Sequence, residues 1–501
     1  MDQSLPQATR IAVPAQRAWT VFGTPSSWNG LGDTGTRVTL IERHGDQARY
    51  RFDRDGESCE CSFVRDGHSA TLTTDGTESS ATLRFAVADE SEKCSLSWEP
   101  TGTLPEPIAA LWRQAPSFAA EVERWSEQLD EVRDSGDPVD AAARLAPMLR
   151  ERAGHSARAF TLDAGAVAGL RAAGLFRIGV PHELGGLGAH AHTIVAAIEE
   201  LSRADAAAGW CTLIGNQSAY AAWLPEPSLR ELVGPDGGFV LAGSTAISGK
   251  AERIGEETYR ISGRWRFNSG CLHADWLMGG VTVPGPDGVP GPMLAFVPWR
   301  AGRILGTWNV AGLAGTGSHD LVLDEVEVPA ARLAPLFSGP SSFTDPLHRL
   351  SPYNIQAVLM AGLPLGIARR ALDELTVMTA AGHTGLSLAD TAVDRARLDI
   401  ELAAGRSLVM STVDDHWSVL DGGGRLGEAA GSRLALVLRR TVDSAKRIVE
   451  RAVELAGPAA LEESGAALQR CLRDVYGAGQ HLAVSDDVYE RNAHRFTGAQ
   501  A

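Results

Sequence analysis

Two short stretches concentrate side chains able to do chemistry. The first is Trp265-Arg266-Phe267-Asn268-Ser269-Gly270, a strand-like run closed by a glycine. In a strand, residues of equal parity share a face, so Trp265, Phe267 and Ser269 are expected to point the same way. Two aromatic rings beside one hydroxyl suit a flat ligand with a polar edge; the competing reading is a sheet face packed on its own core. The second stretch is Gln480-His481. Histidine ordinarily titrates near neutrality, which suits a general base for a weakly acidic hydroxyl; a capping or interface role is the alternative. His273 lies just beyond the serine, and Trp210, Cys211 and Asn216 follow a helical stretch from which they could line a substrate cavity, with core packing as the other reading. Gly315-Thr316-Gly317-Ser318 invites comparison with a phosphate loop, but it lacks the lysine of one and precedes a strand. It reads as a tight turn, with or without a part in shaping the pocket.

These residues need a scaffold of several parts. At 501 residues the chain is too long for one core. A hydrophobic share of 44% against 22% charged is ordinary for a globular protein, so large cores are available. Residues 1–134 carry short alternating runs between turns, at 37–41, 48–52, 70–73, 81–85 and 94–98, which reads as an antiparallel meander. A helix follows from about Pro107 to Val132, and Ser135-Gly136-Asp137-Pro138 reads as a linker. Residues 135–237 turn helical, with Ile194, Ala197, Ile198 and Leu201 on one face. Residues 238–337 are β again and rich in glycine and proline. Residues 338–501 are helical. There Leu434, Leu438, Val442, Ala445, Val449 and Val453 form one stripe, ended by Gly457-Pro458, and a four-helix bundle is expected. The fold class is α+β.

A formal net charge of −16 argues against nucleic acid or an anionic membrane surface as partner. No apolar run is read as long enough to span a bilayer, and the first residues lack a basic segment followed by an apolar one, as a signal peptide would have. The six cysteines are scattered, with Cys59 and Cys61 the one close pair. Reduced thiols of a cytoplasmic protein are expected, and no metal site.

From about 140 to 500 the order of helices, β-barrel and helical bundle resembles the acyl-CoA dehydrogenase fold. Four motifs carry the likeness: Val180-Pro181-His182-Glu183-Leu184-Gly185-Gly186-Leu187-Gly188; Gly263 to Gly270; Gly315 to Asp320 followed by Val326-Glu327-Val328-Pro329; and Leu468-Gln469-Arg470 with Arg473-Asp474. The dehydrogenases need a carboxylate base, and counting from Arg473-Asp474 its position falls on Leu482, which cannot take a proton. Gln480-His481 and the segment from Phe267 to Trp276 resemble a second branch, the two-component flavin monooxygenases of the aromatic hydroxylase type. That resemblance implies a reduced flavin, FMN before FAD, delivered by a separate reductase, and oxygen activated as a flavin C4a-hydroperoxide. It implies Ser269 beside flavin N5 and His481 beside a small aromatic or polyketide-like substrate. Trp265, Phe267, Gly270 and Gln480 are the further cofactor-binding candidates. The resemblance also implies a homodimer or homotetramer.

Residues about 8–132 resemble the helix-grip family of polyketide cyclases and lipid-transfer domains. The carriers are Ile11 to Ala15, Ala18-Trp19-Thr20-Val21-Phe22, Pro25-Ser26-Ser27-Trp28, the strand series, and a last helix with Glu121, Glu123 and Trp125. The likeness implies a curved sheet around a long helix with an apolar cavity, and a binding or cyclase role toward the same molecule. Trp19, Trp28, Trp98 and Trp112 could line that cavity or fill a core. Two other functions remain open: an acyl-thioester dehydrogenase with its base at Glu374 or Asp373, and a ligand-binding protein without catalysis.

Overall fold

The computed structural model describes the chain apart from residues 1–7, 12–14, 24, 31–35, 75–80, 91–92, 115–119, 121, 124–135, 234–238, 286–288, 337–342 and 498–501. Seven strands come first: β1 (Ala8–Ile11), β2 (Arg37–His44), β3 (Gln47–Arg54), β4 (Glu57–Asp66), β5 (Ser69–Thr74), β6 (Thr82–Glu90) and β7 (Lys93–Thr101). Successive strands from β2 to β7 pair antiparallel and β1 closes on β7. Period-2 alternation builds one apolar face from Val38, Leu40, Tyr50, Phe52, Phe63 and Leu72, all buried. Trp19 of α1 (Ala15–Phe22), Trp28, and Trp112 of α2 (Glu106–Arg113) lie against it, and Trp28 meets Trp112 edge-on at 5.4 Å. Those three tryptophans are core in this structure. Most of the helix expected to reach Val132, with Glu121 and Trp125, lies outside the described residues.

Helices follow: α3 (Pro138–Ala159), α4 (Ala164–Ala172), α5 (Ala191–Ala204), α6 (Ala206–Gly215) and α7 (Glu226–Val233). The expected linker residue Asp137 caps α3, accepting the N–H groups of Val139 and Asp140 at 2.7 and 3.1 Å, with Pro138 in the first helical turn. Ile194, Ala197, Ile198 and Leu201 are fully buried on α5, as their spacing predicts. Then come β8 (Leu241–Arg253), β9 (Thr258–Asn268), β10 (Trp276–Val283), β11 (Gly291–Pro298), β12 (Arg303–Leu305), β13 (His319–Pro329) and β14 (Leu333–Pro335). The chain ends in α8 (Pro352–Ala380), α9 (Leu388–Asp421), α10 (Glu428–Ala456), α11 (Ala466–Ala478) and α12 (Asp487–Thr497).

Two features depart from the sequence reading. The two sheets are joined, because β2 pairs antiparallel with β12, giving one 14-stranded sheet. Gly306 makes the seam possible: its N–H reaches Ile41 O at 2.6 Å, and a Cβ there would overlap Leu40 O. Arg43 crosses the same seam, donating to Leu272 O at 2.9 Å and lying 4.1 Å over the Trp299 ring. The second departure corrects the expectation about apolar runs. An 18-residue window of α8 has a mean hydropathy of 1.3, so the helix is long and apolar enough to cross a membrane by length and composition. Yet 89% of that window is buried within the protein. Gly362 and Gly366 let the backbone of α5 approach so closely that a Cβ at either would overlap it. A helix packed on several sides is apolar all round, which reads the same as a membrane span.

Candidate active site

Phe267 sets the local geometry. Its φ of +65° lies in the left-handed region, which costs a non-glycine residue about 1 kcal/mol or more. β9 stops one residue later, and Gly270, at φ +74°, turns the chain away. The strand alternation breaks there, so Trp265, Phe267 and Ser269 do not share a face. Trp265 is fully buried, wrapped by Gly249, Gly263 and Gly279, and its Nε1 donates to Gly280 O at 2.9 Å. It is therefore withdrawn from any cofactor ring, contrary to expectation. Phe267 is 59% exposed, edge-on to Trp308 at 6.1 Å.

Ser269 points inward and is buried. Its Oγ accepts the indole N–H of Trp210, on α6, at 2.8 Å and lies 2.7 Å from Ser318 Oγ. Ser318 Oγ is in turn 2.7 Å from Thr316 Oγ1, which donates to Leu313 O at 2.8 Å. The Trp210 ring meets His481 edge-on at 5.6 Å. Three of the candidate residues thus converge from β9, α6 and the turn after α11. Gln480, beside His481, is exposed.

His481 differs from the residue expected. Burial pushes its pKa down to about 4, so the ring is neutral at pH 7 rather than titrating near neutrality. Its Nδ1 accepts the Ala483 N–H at 3.2 Å, which assigns the proton of the neutral ring to Nε2. The side chain therefore offers a donor.

The Arg473-Asp474 motif clamps the loop behind the hydroxyls. Asp474 accepts the Leu313 N–H at 2.6 Å, and Arg473 Nε donates to Ala311 O at 3.1 Å. A Cβ on Gly312 would overlap Arg473 O. Burial pushes the Asp474 carboxyl up to about 7, and nearby Asp205, the N-cap of α6, pushes the same way.

Asn216 has no free polar group to offer a cavity, whereas the buried Nε2 of His273 has no hydrogen-bond partner among the described residues and lies 2.9 Å from where a Cβ on Gly270 would sit. The Asn216 amide is spent on backbone: Oδ1 accepts Gly179 N–H, and Nδ2 donates to Leu175 O and Thr212 O. The His273 ring packs against Phe176 at 5.7 Å, and burial lowers its pKa to about 3. Cys211 lies under the same loop, with Sγ 3.7 Å from Thr316 O. The carboxylates weighed as dehydrogenase bases are both paired, Asp373 with Arg203 and Glu374 with Arg370, each at 2.7 Å. Thr316 and Ser318 belong to the turn that the sequence reading named for a part in shaping the pocket, though not for their hydroxyls; Trp308 was not singled out from sequence. A cleft of about 380 Å³ opens beside Trp308, between β2–β3 and residues 306–309, with Arg37, Arg51 and Phe160 in its walls.

Two family models match: "Acyl-CoA dehydrogenase, N-terminal domain" over residues 130–225 and "Acyl-CoA dehydrogenase, C-terminal domain" over 358–486. An indole-3-acetate monooxygenase of Pseudomonas putida is 30% identical over 396 residues, covering 77% of this chain and 97% of that protein. The flavin-dependent monooxygenase oxygenase subunit HsaA of Rhodococcus jostii is 28% identical, over 68% of this chain and 92% of its own length. The solved structure of XiaF from Streptomyces, in complex with FADH2 and glycerol, shares the fold at a TM-score of 0.68 and 23% identity, covering 75% of this chain and 98% of that one.

Proposed function

Because this chain belongs to the flavin-dependent monooxygenases built on the acyl-CoA dehydrogenase fold, we propose that it is the oxygenase component of a two-component system hydroxylating a small aromatic molecule. A separate reductase supplies the reduced flavin, FMN in our reading with FAD the alternative. The observation that carries the proposal is the convergence of Ser269, Trp210 and His481 beside an exposed Phe267 ring, while Leu482 stands at the dehydrogenase base position and Asp373 and Glu374 are ion-paired.

The residues present fit a flavin. Phe267 is a 59% exposed ring two residues before the buried hydroxyl of Ser269, with the Arg266 guanidinium 4.8 Å over it, and Gly270 at positive φ adds no side chain between that backbone and the His273 ring. Bound reduced flavin supplies the electrons that activate dioxygen. The protein's own groups do the rest. Ser269, held by the indole N–H of Trp210, would hydrogen-bond the polar edge of the flavin. The Nε2–H of His481 holds an oxygen of the substrate and favours its electron-rich form; hydrogen bonds to charged groups contribute about 1.5–3 kcal/mol. Phe267 and Trp308 form an apolar wall against water.

We read residues 1–134 as a helix-grip unit that binds or shapes the same molecule, with 135–237, 238–337 and 338–501 as the helical, β and bundle parts of the catalytic body. The strand order β1-β7-β6-β5-β4-β3-β2 supports that reading. A cytoplasmic homodimer or homotetramer fits the exposed Val377, Val393, Ile400, Leu408 and Val419 on α8 and α9.

The test is anaerobic loading with reduced FMN, a panel of phenols and indoles, and ¹⁸O₂. One ¹⁸O atom should enter an aromatic product, with peroxide release falling as substrate binds. Reduction of bound oxidised flavin by an acyl thioester, without oxygen incorporation, would overturn the reading.

A further inference from the structure

We infer that a chain of hydroxyl groups between Trp210 and Leu313 fixes the polarity of Ser269, so that it offers flavin N5 only a lone pair and thereby selects the reduced cofactor. The inference rests on the flavin reading above.

Each hydroxyl has one hydrogen to give and two lone pairs. Leu313 O is a carbonyl and only accepts, so the hydrogen of Thr316 is committed to it, at 2.8 Å. Ser318, 2.7 Å from Thr316, must then be the donor of that pair. This leaves Ser318 no hydrogen for Ser269, also 2.7 Å away, so Ser269 donates to Ser318. At the other end the indole N–H of Trp210 only donates, and at 2.8 Å it takes one lone pair of Ser269. Ser269 keeps one lone pair and no hydrogen.

Both ends are anchored. Asp474 accepts the Leu313 N–H at 2.6 Å, and Trp210 rides on a helix capped by Asp205. Thr316, Ser318 and Ser269 are all buried, which leaves little room for water to reset the polarity. Reduced flavin carries N–H at N5; oxidised flavin presents a lone pair there. The open lone pair of Ser269 makes a hydrogen bond to the first and repels the second. Ser318 and Thr316 are therefore positioning residues acting through Ser269.

The experiment is anaerobic equilibrium titration of the full chain with oxidised and with reduced FMN. The unmodified protein should bind the reduced form more tightly. Ser318→Ala frees the hydrogen of Ser269, so the ratio of dissociation constants, oxidised over reduced, should fall about tenfold or more. The midpoint potential of the bound flavin should fall by roughly 30 mV for each tenfold. Thr316→Val should act the same way, because Ser318 can then turn its hydrogen toward Ser269, and Thr316→Ser should restore the original ratio. Trp210→Phe should keep the preference, since Ser269 still donates to Ser318. A merely structural role for the two hydroxyls would weaken both flavin forms together and leave the ratio unmoved, which overturns this inference alone. An unmodified protein that binds neither form overturns the flavin reading with it.

Discussion

Replacing Asp474 by asparagine separates the geometry of the loop clamp from its charge. The carboxylate accepts the Leu313 N–H at 2.6 Å. Burial, aided by Asp205, raises its pKa from 3.8 to about 7. Because the folded value lies above the unfolded one, its contribution to stability is fully present below pH 3.8 and is lost as pH rises through 7. At about 1.4 kcal/mol per unit, the whole loss is on the order of 4 kcal/mol, and roughly 2–3 of that accrues between pH 5 and 8. Asparagine keeps an oxygen for Leu313 and does not ionise. The stability of Asp474→Asn relative to the parent should therefore rise by about 2–3 kcal/mol from pH 5 to pH 8 and level off above that. Urea unfolding followed by tryptophan fluorescence, repeated across this range, measures it. Asp474→Ala does not ionise either, so it should follow the same pH course while staying about 1–3 kcal/mol less stable than Asp474→Asn at every pH, because it orphans a buried N–H. A difference between Asp474→Asn and the parent that does not change with pH would refute the argument.

The seam between the sheets and the active-site histidine give three further expectations. Arg43→Met removes the bond to Leu272 O and the contact over Trp299, for a cost of about 2–4 kcal/mol. Hydrogen exchange at residues 303–306 should quicken, and unchanged exchange there would contradict the assignment. Gly306→Val drives a side chain into Leu40 O and should lower the melting temperature sharply, whereas Gly405→Ala, inside α9 with nothing within 4 Å of the added Cβ, should be neutral or slightly stabilising. His481 is neutral above about pH 4 and acts through Nε2–H, so turnover should show no limb near pH 6.5. His481→Gln, which retains a donor, should keep more product per flavin oxidised than His481→Ala; a limb near 6.5 that vanishes in both variants would restore a general-base role.

The parts legible in the sequence are those whose physics is local. The faces of α5 and α10 follow from spacing within one segment, as do the meander strands and the glycine that ends α10. The Arg473-Asp474 pair was recognisable as a motif, but its work on residues 311–313 joins positions more than 150 apart. Trp210, Ser269 and Ser318 meet across separations of 59 and 49 residues, which no periodicity records. The positive φ of Phe267 reverses the parity argument for its own strand, because alternation holds only while every residue stays extended. The pKa of His481 depends on its burial, a property of the assembled site.

The seam also makes a claim about residues 1–134. The Pseudomonas putida relative is matched over 97% of its length by 396 aligned residues, so the family fold can be complete in a shorter chain. Here, however, the first sheet touches both sides of the hydroxyl site. β2 pairs with β12, which leads through Gly306 to the loop bearing Thr316 and Ser318. Arg43 holds the carbonyl of Leu272, three residues after Ser269. Deleting 1–134 would bare the edge of β12, leave the Leu272 carbonyl without its donor and free the loop from Leu40 and Ile41. The truncated chain should therefore bind reduced flavin more weakly and show faster hydrogen exchange at 306–318 than the full protein. If it instead keeps the parent's melting temperature and flavin affinity, the first sheet is a detachable extension, and the contacts at Gly306 and Arg43 bear on docking alone.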